Sequence, residues 1–261
     1  MRAMDIAATG MMAQQTNVEV IANNIANQNT TGFKEQRPEF QDLLYQTERR
    51  GGANSSDSGT IVPVGVQIGI GVSTAAVYRI NTQGNIAQTG NPLDLAIQGR
   101  GFFQIQLPDG TIAYTRDGSF QLSPTGEIVT SDGYVVQPGI TIPQNTTAIS
   151  VNSSGQVQAQ VAGQTNPQTV GQLQLANFPN EAGLDALGKN LMAETQASGQ
   201  PTTGNPGSTA FGTVNQGMLE TSNVDIVSEI TNLITAQRAY EMNSKVIQTS
   251  DQMMSTLNQI Q

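Results

Sequence analysis

Residues 219–261 read LETSNVDIVSEITNLITAQRAYEMNSKVIQTSDQMMSTLNQIQ, with no glycine or proline in the run. Read in sevens, Ile226, Leu233, Tyr240, Ile247 and Met254 fall on one line. Ala236 and Leu257 belong to a companion line whose other members, Glu229, Asn243 and Ser250, are polar. Ala239, Val246, Met253 and Ile260 form a flanking line. A stripe kept up for about five heptads is the pattern of a helix laid along another helix. At 1.5 Å per residue it would run for roughly 55 Å, too long to bury that stripe alone. Ser222, three residues before Asp225, predicts a capping-box start. The hydroxyl would take the N3 amide and the carboxylate would face the positive end of the helix.

The natural partner lies at the other end of the chain. Within residues 1 to 27, Met4, Met11, Val18 and Ile25 recur at sevens, with Ala8 and Ala22 on the line between and Gln15 interrupting it. Gly10 costs about 1 kcal/mol against alanine in a helix, so this helix is expected to be the weaker one and to order against its partner. The same periodicity also suits a two-helix hairpin covering a sheet. Helices at both chain ends favour the ends folding back together.

Composition narrows the function. Only 12% of the 261 residues are charged, about half the usual share, and amides and hydroxyls take their place. Such a surface suits a chain packed against others rather than one kept apart by charge. The net charge of −9 and eleven scattered Lys and Arg argue against nucleic acid, which needs clustered cations. With no Cys and no His, disulfides, thiolate metal sites and a Ser–His–Asp triad are excluded, and the commonest general base is gone. No run reaches the length of a membrane span. Asp5, Thr9, Gly10, Gln14 and Gln15 interrupt any signal-peptide core, so export would need another route.

Between the helical ends the reading changes. Phe40, Leu43, Leu44 and Tyr45 suit one short turn of helix or a strand, and residues 50–59 (RGGANSSDSG) suit a flexible loop. Val62, Val64, Val66, Ile68, Ile70 and Val72 then alternate strictly, which predicts one strand with an apolar face. Gly65, Gly69 and Gly71 do not space as a phosphate cradle. From 84 to about 175, short alternating runs are separated by turn signals at 108–110 (PDG), 131–133 (SDG) and 152–155 (NSSG). A compact antiparallel barrel or sandwich is expected there.

The expected fold class is α+β: long N- and C-terminal helices paired as a coiled coil, an inserted antiparallel β-rich domain, and an extended linker. Three regions are expected: 1–45 with 220–261 as a discontinuous helical domain, 46–83 as an extended linker or hairpin, and 84–219 as the β domain. Carboxylates are the only catalytic material. Asp94, Asp109, Asp117, Glu127 and Asp132 lie in or near the β region, and a glycoside hydrolase needs two flanking a cleft. Asp109 and Asp132 precede glycines, where aspartate serves the turn backbone. No catalytic, cofactor or metal site is expected, and there is no EF-hand pattern.

Two stretches resemble a known family. ANNIANQNTTGFK (22–34), with Asn23, Asn24, Asn27, Thr31, Gly32, Phe33 and Lys34, is similar to the N-terminal signature of the bacterial flagellar rod and hook axial proteins. The run from Ser222 to Gln259 resembles their C-terminal motif, and TGNPLDLAIQGRGFF (89–103) resembles a third shared stretch, with Arg100 at a position that varies. The segment with Tyr45, Glu48, Arg49, Arg50, Val62, Val64, Val66 and Ile68 resembles one carried by the distal-rod members and generally lacking in hooks.

The resemblance implies a structural axial protein stacked helically into a stiff hollow rod, with the terminal helices inside and the β domain outside. Such a rod transmits motor torque across the periplasm to the hook and provides the export channel. The implied partners are copies of itself, the proximal rod, the hook protein and the surrounding rings, with no nucleic acid, membrane span or small-molecule substrate. The implied location is the basal body, in the periplasm and through the outer-membrane ring, reached by the flagellar type III apparatus without a cleaved signal. A hook or proximal rod protein shares the end motifs. Outside the family, a cell-wall adhesin or glycan-binding protein would also fit a β domain on helices.

Overall fold

The computed structural model describes residues 2–50, 64–164 and 166–260, with the side chains of 257–260 excepted. The chain divides into two compact units. A helical unit comprises Met1–Ile25, Gln36–Tyr78 and Asp225–Gln261, and a β unit comprises Ala26–Glu35 and Arg79–Val224.

The β unit is built around the strand Phe102–Gln106. Ile112–Thr115 returns beside it through the turn at 108–110, where Asp109 Oδ1 accepts from the Thr111 amide at 3.0 Å and from its hydroxyl at 2.6 Å. Its other edge is shared: Val135–Val136 pairs with residues 105 and 106, and Leu175–Asn177 with residues 102 and 103. Ile128–Val129, Gln121–Leu122, Asp185–Gly188, Leu191–Ala193 and Thr202–Gly204 complete this sheet, every pair antiparallel. A three-stranded sheet, Thr146–Val151, Gln156–Val161 and Gln168–Gln172, lies apart from it in the pairing. Leu95–Gln98 pairs with Thr213–Gln216, and Ile86–Gln88 with Met218–Glu220.

Four of the five residues of Phe102–Gln106 are buried, although the strand reads as alternating. The reason is that both its faces are covered. Phe103 and Ile105 join a large core with Phe120, Ile128 and Leu175, and Phe103 meets Phe120 edge-on at 5.1 Å. Phe102 joins a second cluster with Tyr114, Phe178 and Met192, in which Tyr114 and Phe178 are edge-to-face at 4.8 Å.

The helical unit holds α1 (Arg2–Ala26, of which Ala26 falls to the β unit), α2 (Ile226–Ile260) and a long interrupted hairpin. Gln36–Asp42 pairs with Val72–Arg79, and Tyr45–Arg49 with Val66–Gly69. The Leu43 amide donates to Gly71 O and the Ile70 amide to Leu44 O, carrying the ladder across the break. The one strand expected from Val62 to Val72 is thus two; Val62, Pro63 and the expected loop from residue 51 lie outside the described residues.

The expected fold class needs correction. Among the described residues the chain has two α-helices, one short 3-10 turn and twenty strands, and the α-helices are not joined by a long coiled-coil seam. The inserted β domain is present. On α2, Ile226 and Tyr240 are 42% and 44% exposed and Leu233, Ile247 and Met254 are half-buried. The covered line is the polar companion: Glu229, Ala236 and Ser250 are buried. On α1, Ala7, Ala13, Val20, Ile21 and Asn24 are buried, Met4, Met11, Val18 and Ile25 are half-buried, and Ala22 is exposed.

Small and polar groups bring the helices side by side. A β-carbon at Gly10 would stand 2.8 Å from Asn243 Nδ2, and Asn24 Nδ2 donates to Glu229 Oε2 at 3.0 Å. From 10 to 24 one helix advances as far as the other retreats from 243 to 229, so they run antiparallel. Where a coiled coil would seat knobs in holes, Gln15, Val18, Glu19, Gln237, Tyr240 and Glu241 line an open groove of about 340 Å³. Hydrophobic periodicity shows that a face is to be covered, not which surface covers it.

The start of α2 also differs from the capping-box expectation. Asp225 is the cap itself, its Oδ1 accepting from the Val227 amide at 2.9 Å and more distantly from Ser228, while Ser222 Oγ takes the Val224 amide.

Candidate functional site

The stretch ANNIANQNTTGFK is distributed over both units, and each part does a separate job. In the helical unit, Asn24 closes a two-sided amide pair with the backbone of Gln36: Oδ1 accepts from the Gln36 amide at 2.9 Å and Nδ2 donates to its carbonyl at 2.8 Å. With Glu229 on the same Nδ2 group, one buried side chain holds the end of α1, the first hairpin strand and the first turns of α2.

In the β unit the motif becomes a tight turn. The Thr30 amide donates to Asn27 O, and the Thr30 hydroxyl to Asn27 Oδ1 at 3.2 Å. The turn closes at Gly32, whose φ of +68° is one that glycine adopts without strain. A β-carbon there would also meet Asp117 N at 2.8 Å. The Gly32 amide donates to Glu220 O at 2.8 Å, and Asn190 Nδ2 to Thr31 O at 3.2 Å.

The turn delivers Lys34 into a buried ionic centre. Its Nζ stands 2.5 Å from Glu220 Oε1 and 2.8 Å from Thr82 O, with side-chain exposures of 2% and 0% for the pair. Arg116 approaches Glu220 Oε2 at 3.4 Å through Nε, too poorly aligned for a hydrogen bond. Its Nη1 and Nη2 donate to the carbonyls of Gly101 and Gly99, and its guanidinium lies over the Phe102 ring. The Gly84 amide adds a donor to Glu220 Oε1 at 3.0 Å. Burial pushes the Lys34 ammonium below its ordinary range, with Glu220 opposing the shift, and burial lowers Arg116 likewise. Nearby, Asn223 Oδ1 takes the Glu35 amide at 2.7 Å while its Nδ2 donates to Ile80 O.

Enclosed in this way, the centre cannot reach a substrate. It is a lock between the stretch that follows α1 and the strand that precedes α2. The carboxylates considered for catalysis are engaged locally instead. Asp94 takes the Thr89 hydroxyl and the Asn91 amide, Asp117 serves Ser119 and Asn190, Glu127 takes the Thr125 hydroxyl, and Asp132 pairs with Lys189. Among the described residues no three such groups converge as metal ligands, and no helix is long and apolar enough to cross a membrane.

The residues of the expected rod segment sit on the hairpin. Tyr45 faces Gly69 across it, Glu48 pairs with Arg2, and Arg49 and Arg50 are exposed. Val64 and Val66 are exposed and Ile68 is half-buried, while Val62 and the Leu257 side chain lie outside the described residues. Arg116, Glu220, Asn223 and Gln36 carry no local sequence signal. Each stands alone in its local pattern, and only the fold brings it to its partners.

Comparison with known proteins matches three families. They are described as "Flagella basal body rod protein" over residues 4–34, "Flagellar hook protein FlgE/F/G D1 domain" over 96–159, and "Flagellar basal body rod FlgEFG protein C-terminal" over 215–260. The chain is 62% identical to the flagellar basal-body rod protein FlgG of Caulobacter vibrioides, over 100% of this chain and 99% of that one. It is 41% identical to FlgG of Bacillus subtilis, over 98% of each. To the flagellar basal-body rod protein FlgF of C. vibrioides it is 35% identical, over 94% and 91%. Likeness of this degree along the whole length, including both ends that meet at the lock, shows that the chain belongs to the FlgG family of flagellar basal-body rod proteins and is a structural protein of the flagellar rod.

Proposed function

We propose that this chain polymerises helically into the distal part of the rod, where the polymer carries motor torque to the hook and encloses the export channel. Its neighbours would be further copies, the proximal rod below, the hook above and the surrounding rings. The polymer would stand in the periplasm and pass the outer-membrane ring, its subunits delivered by the flagellar type III apparatus. One observation carries the reading. Among the described residues sixteen of the nineteen large exposed apolar side chains lie in the helical unit, which holds only five of the thirty buried ones. A unit built in this way is completed by other molecules. Contacts between dissimilar faces that do not close a ring produce a filament.

The proposed assembly surface includes Met4, Met11, Val18, Ile25, Ile226, Leu233, Tyr240, Ile247 and Met254, each at least partly open. The hairpin with Tyr45, Glu48, Arg49, Val64 and Val66 is the proposed stiffening element. Electron microscopy of the concentrated chain, beside a version lacking residues 46–64, tests both points. Straight tubes from the full chain and curved ones from the deletion are expected. Curved tubes from both would assign a hook-like role, and a monodisperse monomer at every concentration would end the assembly reading.

A further inference from the structure

From Gly133 to Asn180 the chain has no Asp, Glu, Lys, Arg or His. No other stretch is free of charge for so long, in a molecule that carries twenty acidic and eleven basic residues. Within it lies the three-stranded sheet of the β unit. One face of that sheet belongs to the core through Val151, Val157 and Ala159. On the opposite face the register sets Ser150 beside Gln158 and Gln158 beside Thr169, with Gln156 beside Gln172. All five are exposed or half-exposed. Their amides partly serve one another: Gln158 Nε2 donates to Gln156 Oε1 at 3.3 Å, and Asn152 Nδ2 reaches the same oxygen at 3.4 Å. The outer strands Thr146–Val151 and Gln168–Gln172 pair only with the central one; on the first, the Gln216 side chain takes the Val151 amide and donates to Ile149 O, and neither strand carries a charge.

Charge decides what covers this face. Each copy carries a net −9, so two copies repel unless they meet where neither is charged. A basic partner would be drawn to the acidic residues elsewhere and would gain nothing from a neutral sheet. Amide and hydroxyl groups can hydrogen-bond to the same kinds of group on another copy without an opposite charge in register. We propose that the outer face of this sheet is a contact between the β units of neighbouring copies, an inference that rests on the assembly reading above.

The chain has no cysteine, so Ser150→Cys introduces a single thiol on the face. A thiol reagent is expected to label it readily in the monomer and at least tenfold more slowly in the polymer. Equal labelling in both would overturn the proposal. In a second test Ser150→Glu with Thr169→Glu, two exposed positions on separate outer strands, is expected to raise the critical concentration for polymerisation at least tenfold, leave the monomer's melting temperature unchanged, and be partly rescued by salt. Ser131→Glu, in an exposed turn already beside Asp132, should polymerise like the parent. Normal polymerisation of the double variant would overturn the proposal and leave the assembly reading standing. Normal tubes in vitro with lost motility would assign the face to another basal-body component and overturn the copy-to-copy contact. Failure of the unaltered chain to polymerise would sink the assembly reading itself.

Discussion

The β unit and the helical unit are made from similar residues and finished to different degrees. Of the buried apolar side chains among the described residues, twenty-five lie in the β unit, and only Ile112, Leu122 and Leu187 of its large apolar residues are exposed. The helical unit reverses this, with Ile226, Val227, Ile230 and Ile234 open along one side of α2 and Leu44, Tyr45, Val64 and Val66 open on the hairpin. A region that satisfies itself owes its stability to its own core. A region that does not will show its stability only when other molecules are present.

Substitutions can break or sharpen that contrast. Phe103→Ala removes a ring at the centre of the β core and should cost about 3–5 kcal/mol in the unfolding of that unit, read as a lower denaturant midpoint. A midpoint close to the parent's would mean that the core is not where the burial places it. Glu220→Gln leaves Lys34 and Arg116 enclosed without their carboxylate and should cost about 3 kcal/mol. Protease should then cut first within residues 27–34. If Lys34→Met combined with Glu220→Gln, which strands one cation fewer, is no more stable than Glu220→Gln alone, stranded charge at Lys34 is not the cause.

Smaller effects are expected in the helical unit. Asp225→Ala withdraws the α2 cap and should cost about 1 kcal/mol, seen as faster amide exchange at Val227 and Ser228 with the β unit unchanged. Smallest in the monomer is Ile230→Ser with Ile234→Ser, each within about 0.5 kcal/mol for an exposed site, while the concentration needed for polymerisation rises. Should this pair destabilise the monomer as strongly as a core change, the helical unit is complete on its own and the comparison fails.

What sequence revealed follows from range. The turns at 108–110, 131–133 and 152–155 were legible because aspartate, asparagine and glycine act on their own backbone, as at Asp109 with Thr111. The strands on either side followed. The double burial of Phe102–Gln106 was not legible, since Gln104 stands where an alternating strand shows its open face and yet is buried. On α1 and α2 the apolar lines stay partly or largely open, and Gly10 against Asn243 and the Asn24–Glu229 pair make the approach between helices. Side-chain hydrogen bonding between helices uses polar residues, which a search for hydrophobic lines passes over. Lys34 lies in a stretch marked by family resemblance; its partner Glu220, far along the chain, carries no local signal.

The separation of Lys34 from Glu220 has a consequence in time. A chain is made from its N-terminus, so the turn at residues 27–34 and the guanidinium of Arg116 exist well before the carboxylate that joins them. A product ended between residues 117 and 219 keeps both cations and lacks the anion. Such a fragment can form local turns and even much of the large sheet, but its leading segment stays unfastened and open to proteases. The centre therefore closes only in a subunit whose synthesis has passed residue 220.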